Sequence, residues 1–287
     1  MGMVSTVGLV LHPARDSAAA IQAVIGWAAG RGATVLGLPE EVGRIDCSAV
    51  AVDQATLAER SDLLVSLGGD GTMLRTMRLA AGRATPVLGV NLGRLGFLAE
   101  IDVADLPAAL TRIDEHRWQV EPRMALRAVL PDGSEVTAFN DLALVRIPGD
   151  GLAALEVNVQ GEPFVRYSAD AVIVSTSTGS TAYSFSAGGP IVSPTVEGYL
   201  VVPAAPHSVF NRAIMLSADE DVRLDLLPSC GRLAVEADGI VAGHLTRGDR
   251  LPVTAVRAAA HVVRLGGTTF YERARRKLRV SGSAEVD

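Results

Sequence analysis

The sequence contains very little cysteine and no long apolar run. Only Cys47 and Cys230 occur among the 287 residues, far apart and without metal-ligand spacing. This argues against a disulfide framework and against a zinc site. No apolar stretch approaches the length of a membrane span, and the N-terminus has no basic segment followed by a hydrophobic one. We therefore expect a cytoplasmic protein that does not bind membranes.

Lysine is almost absent, since Lys277 is the only one in the chain. A P-loop nucleotide-binding site needs a Gly-Lys-Ser or Gly-Lys-Thr tripeptide, whose lysine reaches the β- and γ-phosphates. No such tripeptide occurs here. The net charge of −6 gives no basic field for nucleic acid to follow, so we expect no nucleic-acid partner. Any phosphates must be bound by backbone amides, arginine and a metal ion.

Glycine is concentrated in the turn Gly68-Gly69-Asp70-Gly71-Thr72. An apolar run precedes it and a helix-favouring stretch follows, which predicts a strand, a tight turn and a helix start. Three glycines allow positive φ angles and let backbone N–H groups converge on a phosphate. Asp70 is the unusual member, because a carboxylate in such a turn repels phosphate unless it takes a proton or holds a cation. Taken alone, however, Gly-Asp-Gly is also ordinary turn composition.

The order of predicted elements divides the chain into two domains. Strands alternate with helices over residues 1–120, which predicts an α/β domain with a Rossmann-like parallel sheet, and the basic helical stretch in 267–287 is expected to complete it. A second glycine-containing turn, 91–98, should lie beside the first. Residues 121–266 show short alternating strands between turn residues, which predicts an all-β domain, an antiparallel β-sandwich.

A second unusual segment lies in the β half, at residues 175–183. Seven of its nine residues carry hydroxyls, the other two are Gly179 and Ala182, and Ala-Gly-Gly-Pro follows at 187–190. Such density suits a site where hydroxyls and backbone groups contact a sugar or a base. The alternative for each hydroxyl taken singly is an ordinary hydrogen bond within a turn.

Together with Asn140-Asp141, Pro206-His207-Ser208, Arg212 and Asp238-Gly239, these motifs resemble the NAD kinase family, in the same order along nearly the whole chain. Gly-Gly-Asp-Gly-Thr alone also occurs in diacylglycerol and sphingosine kinases. The Thr-Gly-Ser-Thr-Ala-Tyr segment followed by Ser-Ala-Gly-Gly-Pro is far more specific. A lipid kinase would leave that segment unexplained.

The resemblance implies transfer of a phosphoryl group from ATP, or from polyphosphate, to the 2′-hydroxyl of the adenosine ribose of NAD, which gives NADP. It implies Mg²⁺ or another divalent cation bound with ATP, and a homodimer or homotetramer. Asp70 would be the catalytic residue, acting as general base or as metal-dependent orienter of the attacking hydroxyl. No residue is assigned as a metal ligand.

The resemblance also implies which residues bind the nucleotides. Phosphates would be held by Gly68, Gly69, Gly71 and Thr72, and the second turn would contribute Asn91, Arg94 and Phe97. The dinucleotide would be contacted by Asn140, Asp141, Asp170, Thr178, Thr181, Ala182, Tyr183, Ser186 and Asp238.

Three positions depart from the family pattern. Ala171 replaces the usual glycine after the aspartate, Ser177 replaces a proline, and Asp141 replaces a glutamate. These departures leave open a catalytically impaired, dinucleotide-binding regulatory paralogue, although the intact Asp70 speaks against it. The basic residues at 273–279 are expected to form a solvated helix face and not a nucleic-acid site.

Overall fold

The computed structural model describes residues 4–44, 47–93 and 96–280. They form two compact units, one made of the described residues in 1–122 and 260–287, the other of residues 123–259. The sequence places the boundaries at 120/121 and 266/267. The difference at the second boundary arises because the strand that ends at Arg264 pairs, at His261 and Val262, with a strand of the first unit.

The first unit is built on a parallel sheet. Its strands are β1 Thr6–Leu11, β2 Thr34–Gly37, β3 Val50–Ala51, β4 Leu63–Gly68, β5 Pro86–Asn91 and β6 Ile101–Asp102. They run in the order β6-β5-β4-β1-β2-β3, and all these pairs are parallel. Every residue of β4 and β5 is buried, as the continuous apolar runs in the sequence require of a sheet covered on both faces.

Helices cover this sheet. They are α1 Ala18–Ala29, α2 Pro39–Val42, α3 Gln54–Arg60, α4 Asp70–Leu79 and α5 Leu106–Asp114, the last preceded by a 3₁₀ turn at Val103–Asp105. Ile21 and Val24 of α1, and Leu110 of α5, pack against Leu9 and Val65 of the strands in one buried cluster. The apolar face at helical spacing therefore sets how α1 and α5 are buried.

The second unit is antiparallel. Its elements are β7 Gln119–Val129, β8 Glu135–Ala138, β9 Asp141–Arg146, β10 Ala153–Val159, β11 Glu162–Ala169, β12 Ala171–Thr176, a 3₁₀ turn at Thr178–Thr181, α6 Tyr183–Ser186, β13 Gly198–Ala204, β14 Ile214–Ser217, β15 Val222–Leu226, β16 Leu233–Ala237 and β17 Ile240–Leu245. Six strands form one sheet in the order β14-β13-β12-β9-β16-β17. Residues of this sheet share one core with β7, β10 and β15.

The chain returns to the first unit through β18 Arg250–Arg264 and ends its described part with α7 Phe270–Leu278. The alternating segments of the sequence predict strands at 251–255 and 261–265, where β18 is a single strand, and they predict no strand at β13, β14 or β17. The predicted fold class is confirmed: an α/β unit with a parallel sheet and an antiparallel β unit. Among the described residues, no helix is long and apolar enough to span a membrane.

Candidate functional site

The first group of predicted site residues lies where β4 turns into α4. Gly69 precedes the first helical residue, Asp70, so the turn places backbone N–H groups and the positive end of the helix dipole together. None of Gly68, Gly69 and Gly71 has a positive φ, contrary to the expectation from sequence. Glycine is required at position 68 because a Cβ there would overlap the Thr72 side chain.

Asp70 ties the two glycine turns of the first unit together. Its Oδ2 accepts the Phe97 N–H at 2.9 Å, and its Oδ1 accepts the Leu98 N–H at 3.0 Å. A Cβ at Gly96 would overlap the same carboxylate. Each oxygen keeps a lone pair, so the carboxylate is oriented and can still accept a hydrogen bond from a substrate hydroxyl.

A cation also faces Asp70. Lys277 of α7 places Nζ 3.7 Å from Asp70 Oδ2 and 4.5 Å from the centroid of the Phe97 ring. Arg273, one turn earlier, is only 3% exposed and bonds to the Glu100 carboxylate. The prediction that these basic residues form a solvated face is therefore wrong for Arg273, which is buried, whereas Arg275, Arg276 and Lys277 are exposed. The signal available in the sequence was that Lys277 is the only lysine.

The second turn begins beside the first, as predicted, since Gly68 pairs with Asn91 across β4 and β5. The Asn91 amide donates to the Gly93 carbonyl and to Asp102, while its Oδ1 has no hydrogen-bond partner among the described residues. Arg94 lies outside the described residues. Ligand contacts by Asn91, Arg94 and Phe97 stay predictions.

Arginines gather at the carboxyl end of β1, near the Asp70 turn. A Cβ added to Gly69 or Gly93 would lie 3.8 or 2.9 Å from the Arg15 guanidinium. The pKa of His12 is lowered, chiefly by burial and then by Arg15, Arg75 and Arg44. This edge of the sheet is locally basic in an acidic chain, which is what a bound triphosphate requires.

Most of the remaining predicted residues meet at one end of the six-stranded sheet of the second unit. Asp170 lies at the opposite end, because Ala171 pairs with Val145 whereas Ser175 pairs with Asp141. Asp141 begins β9 and pairs with Ser175 of β12, while Ala237 at the end of β16 pairs with Leu142. The turn after β16 brings Asp238 to the same place. Its carboxylate accepts the N–H groups of Asn140 at 2.7 Å and of Asp141 at 3.3 Å.

The hydroxyl-rich segment rests on this end of the sheet. Gly179 packs so closely on Asn140 that a Cβ would overlap the Asn140 carbonyl. Thr176 donates its hydroxyl to the Phe139 carbonyl, and Ser180 donates to the Ser177 carbonyl at 2.8 Å. Several hydroxyls are thus used within the turn, the alternative that the sequence left open. The sequence offered no sign of which ones.

The other predicted ligands of the hydroxyl-rich segment differ in exposure. Thr178 is buried and its hydroxyl lies 3.4 Å from Arg123 Nη1. Thr181, Ala182 and Tyr183 are half-buried, and Ser186 is exposed.

Asp141 is the most perturbed acid of the second unit. It is 4% exposed. Burial, followed by the Asp238 and Glu236 carboxylates, raises its pKa to about 7, and a hydrogen bond from the Tyr183 N–H opposes this shift. Glu236 was not singled out from the sequence, since alternation along a strand gave no hint of its neighbours. Near neutral pH the Asp141 side chain can therefore either donate or accept a hydrogen bond.

Tyr183 lies over the sheet beside Asp141. It packs on the buried cluster that includes Ala171 and Ile173. Burial and then Glu236, Asp141 and Asp170 raise its pKa. Asp170 itself forms an ion pair with Arg146 at 2.6 Å. Ala171 has no positive φ, so the methyl group that departs from the family pattern fits an ordinary strand.

Ser177, another departure, has φ −57°, the value that a proline would fix. This replacement therefore leaves the backbone in the same conformation. Neither Ala171 nor Ser177 disturbs the local fold.

Comparisons with known proteins agree with the motifs. Residues 7–118 match the model of the ATP-NAD kinase N-terminal domain, and residues 139–265 match that of the ATP-NAD kinase C-terminal domain. NAD kinase 1 of Streptomyces avermitilis is 39% identical, covering 97% of this chain and 88% of that protein. The NAD kinase of Desulforamulus reducens is 35% identical, covering 96% and 97%.

Solved structures show the same fold. Yeast NADH kinase complexed with NADH has a TM-score of 0.84 at 26% identity, covering 98% of this chain and 89% of that one. An NAD kinase from Archaeoglobus fulgidus in complex with ATP has a TM-score of 0.72 at 22% identity, covering 96% and 97%. The two domain models match in order and the relatives span nearly the whole chain, so this chain belongs to the ATP-NAD kinase family.

Proposed function

We propose that this chain transfers a phosphoryl group from ATP to the 2′-hydroxyl of the adenosine ribose of NAD, giving NADP. The observation that carries the proposal is that relatives named NAD kinase align with nearly all of the chain. The geometry of the two units adds support. An oriented carboxylate lies at an anion-binding turn, and hydroxyls and acids converge at one end of a β-sheet.

The first unit is assigned to the donor phosphates and to the chemical step. The N-terminus of α4 and Arg15 would bind phosphate oxygens, and Asp70 would accept the proton of the attacking hydroxyl or align it. The Phe97 and Leu98 N–H groups fix the direction of the carboxylate. Phosphoryl transfer depends mostly on such positioning and on charge neutralisation, so the missing P-loop lysine is no obstacle.

The second unit is assigned to the dinucleotide. Asn140 and Asp141 are held by Asp238, and Tyr183 offers a half-buried ring next to them. These groups could contact ribose hydroxyls and a base. Asp170 is paired with Arg146 and keeps a side chain 44% exposed, so it remains accessible to a ligand.

A divalent cation would be brought by the donor. The described residues include no group of three or more His, Cys, Asp or Glu side chains that could hold a metal ion. Magnesium bound to a triphosphate takes most of its ligands from phosphate oxygens and water, so such a group is not required. When bound, the ion neutralises charge on the transferred phosphoryl group.

The test is an assay of NADP formation that crosses NAD and NADH with Mg²⁺·ATP and polyphosphate. We expect NADP from NAD and ATP. No phosphorylated product from any combination, with dinucleotide binding intact by calorimetry, would refute the proposal and favour a regulatory paralogue. Omitting the divalent cation should abolish turnover.

We also propose that the chain is cytoplasmic and self-associates through its second unit as a homodimer or homotetramer. Large apolar side chains are exposed there, among them Phe164, Met215 and Ile240. Light scattering should give a multiple of the 29.9 kDa chain mass, and a monomer at micromolar concentration would contradict this part.

A further inference from the structure

The Asp70 turn combines two features that oppose each other. Its backbone amides and the start of α4 favour an anion, whereas the Asp70 carboxylate in the same turn repels one. Among the contacts of that carboxylate, the two N–H groups from Phe97 and Leu98 are neutral donors. They orient the charge but do not cancel it.

The C-terminal helix supplies a cation at this point. A capping box formed by Thr269 and Glu272 fixes the start of α7. Arg273 then anchors the helix through Glu100 and the Ala99 carbonyl. Lys277 follows Arg273 by four residues and therefore lies on the same face, one turn further along.

The geometry of Lys277 is that of a charge partner. Its Nζ lies 3.7 Å from Asp70 Oδ2, within ion-pair range and longer than a good hydrogen bond. The Lys277 ammonium group lies 4.5 Å from the centroid of the Phe97 ring. The backbone N–H of Phe97 donates a hydrogen bond to the Asp70 carboxylate. Both charged side chains keep only about a third of their surface exposed, 32% for Lys277 and 30% for Asp70.

Two arginines also lie near Asp70, and neither duplicates this contact. Arg273 interacts electrostatically with Asp70, but its guanidinium is bonded to Glu100. Arg15 reaches the turn from the loop after β1, next to Gly69 and Gly93. Among the residues that the structure describes, Lys277 is the cation that forms an ion pair with the carboxylate itself.

We propose that Lys277 is a positioning residue that cancels the charge of Asp70, so that the phosphoryl donor can approach a turn which carries a carboxylate. This inference rests on the proposed function. Lys277 acts through Asp70 and does not itself bind the phosphates. Removing only the lysine should therefore weaken donor binding, and removing both charges should restore it.

The experiment measures binding of Mg²⁺·ATP and of NAD by calorimetry. For Lys277→Met we expect donor binding about tenfold weaker, close to the size of one charge contact that is screened by solvent, with NAD binding unchanged. Lys277→Arg should bind the donor as the unmodified chain does. The double variant Asp70→Asn with Lys277→Met should recover donor binding, because no uncompensated charge remains.

Arg275→Met is the matched control, since it removes one positive charge from an exposed position of the same helix. It should leave donor binding unchanged, and thermal unfolding will show that each variant is folded. Unchanged donor binding in Lys277→Met would overturn the proposal. Equal weakening in the double variant would overturn it too, because the lysine would then contact the phosphates directly.

The outcome is separable from that of the proposed function. If the unmodified chain forms NADP while Lys277→Met binds ATP normally, the proposed role of Lys277 is refuted and the proposed function is not. If the unmodified chain binds neither ATP nor polyphosphate, the proposed function and the role of Lys277 fall together.

Discussion

Asp70 and Asp141 are both predicted site carboxylates, and their surroundings are opposite. Asp70 accepts two backbone N–H groups and faces the Lys277 ammonium. Asp141 is almost fully buried beside Asp238 and Glu236, and its pKa rises to about 7. The charge of Asp70 faces a cation, whereas burial and two neighbouring carboxylates disfavour the charged form of Asp141.

This difference suggests that the carboxylates of the two units serve different functions. A carboxylate that must act among phosphates needs a compensating cation and a fixed direction. A carboxyl group that recognises ribose hydroxyls near neutral pH can donate or accept according to its protonation. If the two carboxylates differ in this way, substitutions at Asp70 and at Asp141 should have different effects.

Asp70→Asn should lower turnover about 10³-fold while NAD binding persists, because the amide keeps the shape but cannot accept a proton. Steady-state NADP formation and calorimetry measure the two quantities. The control is Asp53→Asn, which alters a carboxylate that accepts the Thr56 N–H at the start of α3. It should retain turnover. Equal losses of NAD binding and turnover in Asp70→Asn would make Asp70 structural.

Asp141→Asn should change how stability depends on pH. The folded state keeps the Asp141 proton up to about pH 7, whereas the unfolded chain releases it near pH 4. Between these values the folded state binds more protons, so its stability falls as pH rises. The neutral amide avoids this loss. We therefore expect the free energy of unfolding of Asp141→Asn, relative to that of the unmodified chain, to be about 2 kcal/mol higher at pH 8 than at pH 5.

Urea unfolding at the two pH values measures this gain. Asp132→Asn is the control, because hydrogen bonds from Ser134 lower the pKa of that exposed carboxylate. The stability linked to Asp132 is lost only as pH falls into the acid range, so its removal should change the free energy of unfolding equally at pH 5 and pH 8. A stability difference between Asp141→Asn and the unmodified chain that is equal at both values would remove the contrast with Asp70.

The sequence predicted the parts of this molecule that depend on local patterns. The apolar run before the Asp70 turn located β4, the alternation of strands and helices predicted the fold class, and the order of motifs predicted the family. The fold class and the family are both confirmed. By contrast, the partners of the two acids could not be predicted. Lys277 meets Asp70 through tertiary packing of α7, in which Arg273 also bonds to Glu100.

Asp141 shows the same limit in the second unit. Its raised pKa depends first on burial and then on Asp238 and Glu236, which reach it across the pairing of β9 with β16. No spacing in the sequence encodes that register. The individual nucleotide contacts stay predictions for the same reason, since a motif locates a segment but not the direction of each side chain.

Gly179→Ala should weaken NAD binding about tenfold and cost about 1 kcal/mol of stability. The added Cβ overlaps the Asn140 carbonyl, a backbone atom that can move only by displacing Asp141. KM for NAD and thermal unfolding report the two effects. Gly26→Ala is the control, because a Cβ there has no heavy atom within 4 Å. A normal KM for NAD in Gly179→Ala would separate Asn140 from dinucleotide binding.

Gly71→Ala should have the smallest effect, and it tests the turn around Asp70 directly. An added Cβ meets nothing within 4 Å and φ is not positive, so alanine should stabilise the first turn of α4 by about 0.5 kcal/mol. A donor phosphate lying against the turn would contact the methyl group, so KM for ATP should rise several-fold while KM for NAD stays constant. Gly68→Ala, which overlaps Thr72, should instead destabilise the fold. If Gly71→Ala leaves KM for ATP unchanged, the donor does not approach this side of the turn, and Asp70 needs no compensating cation there.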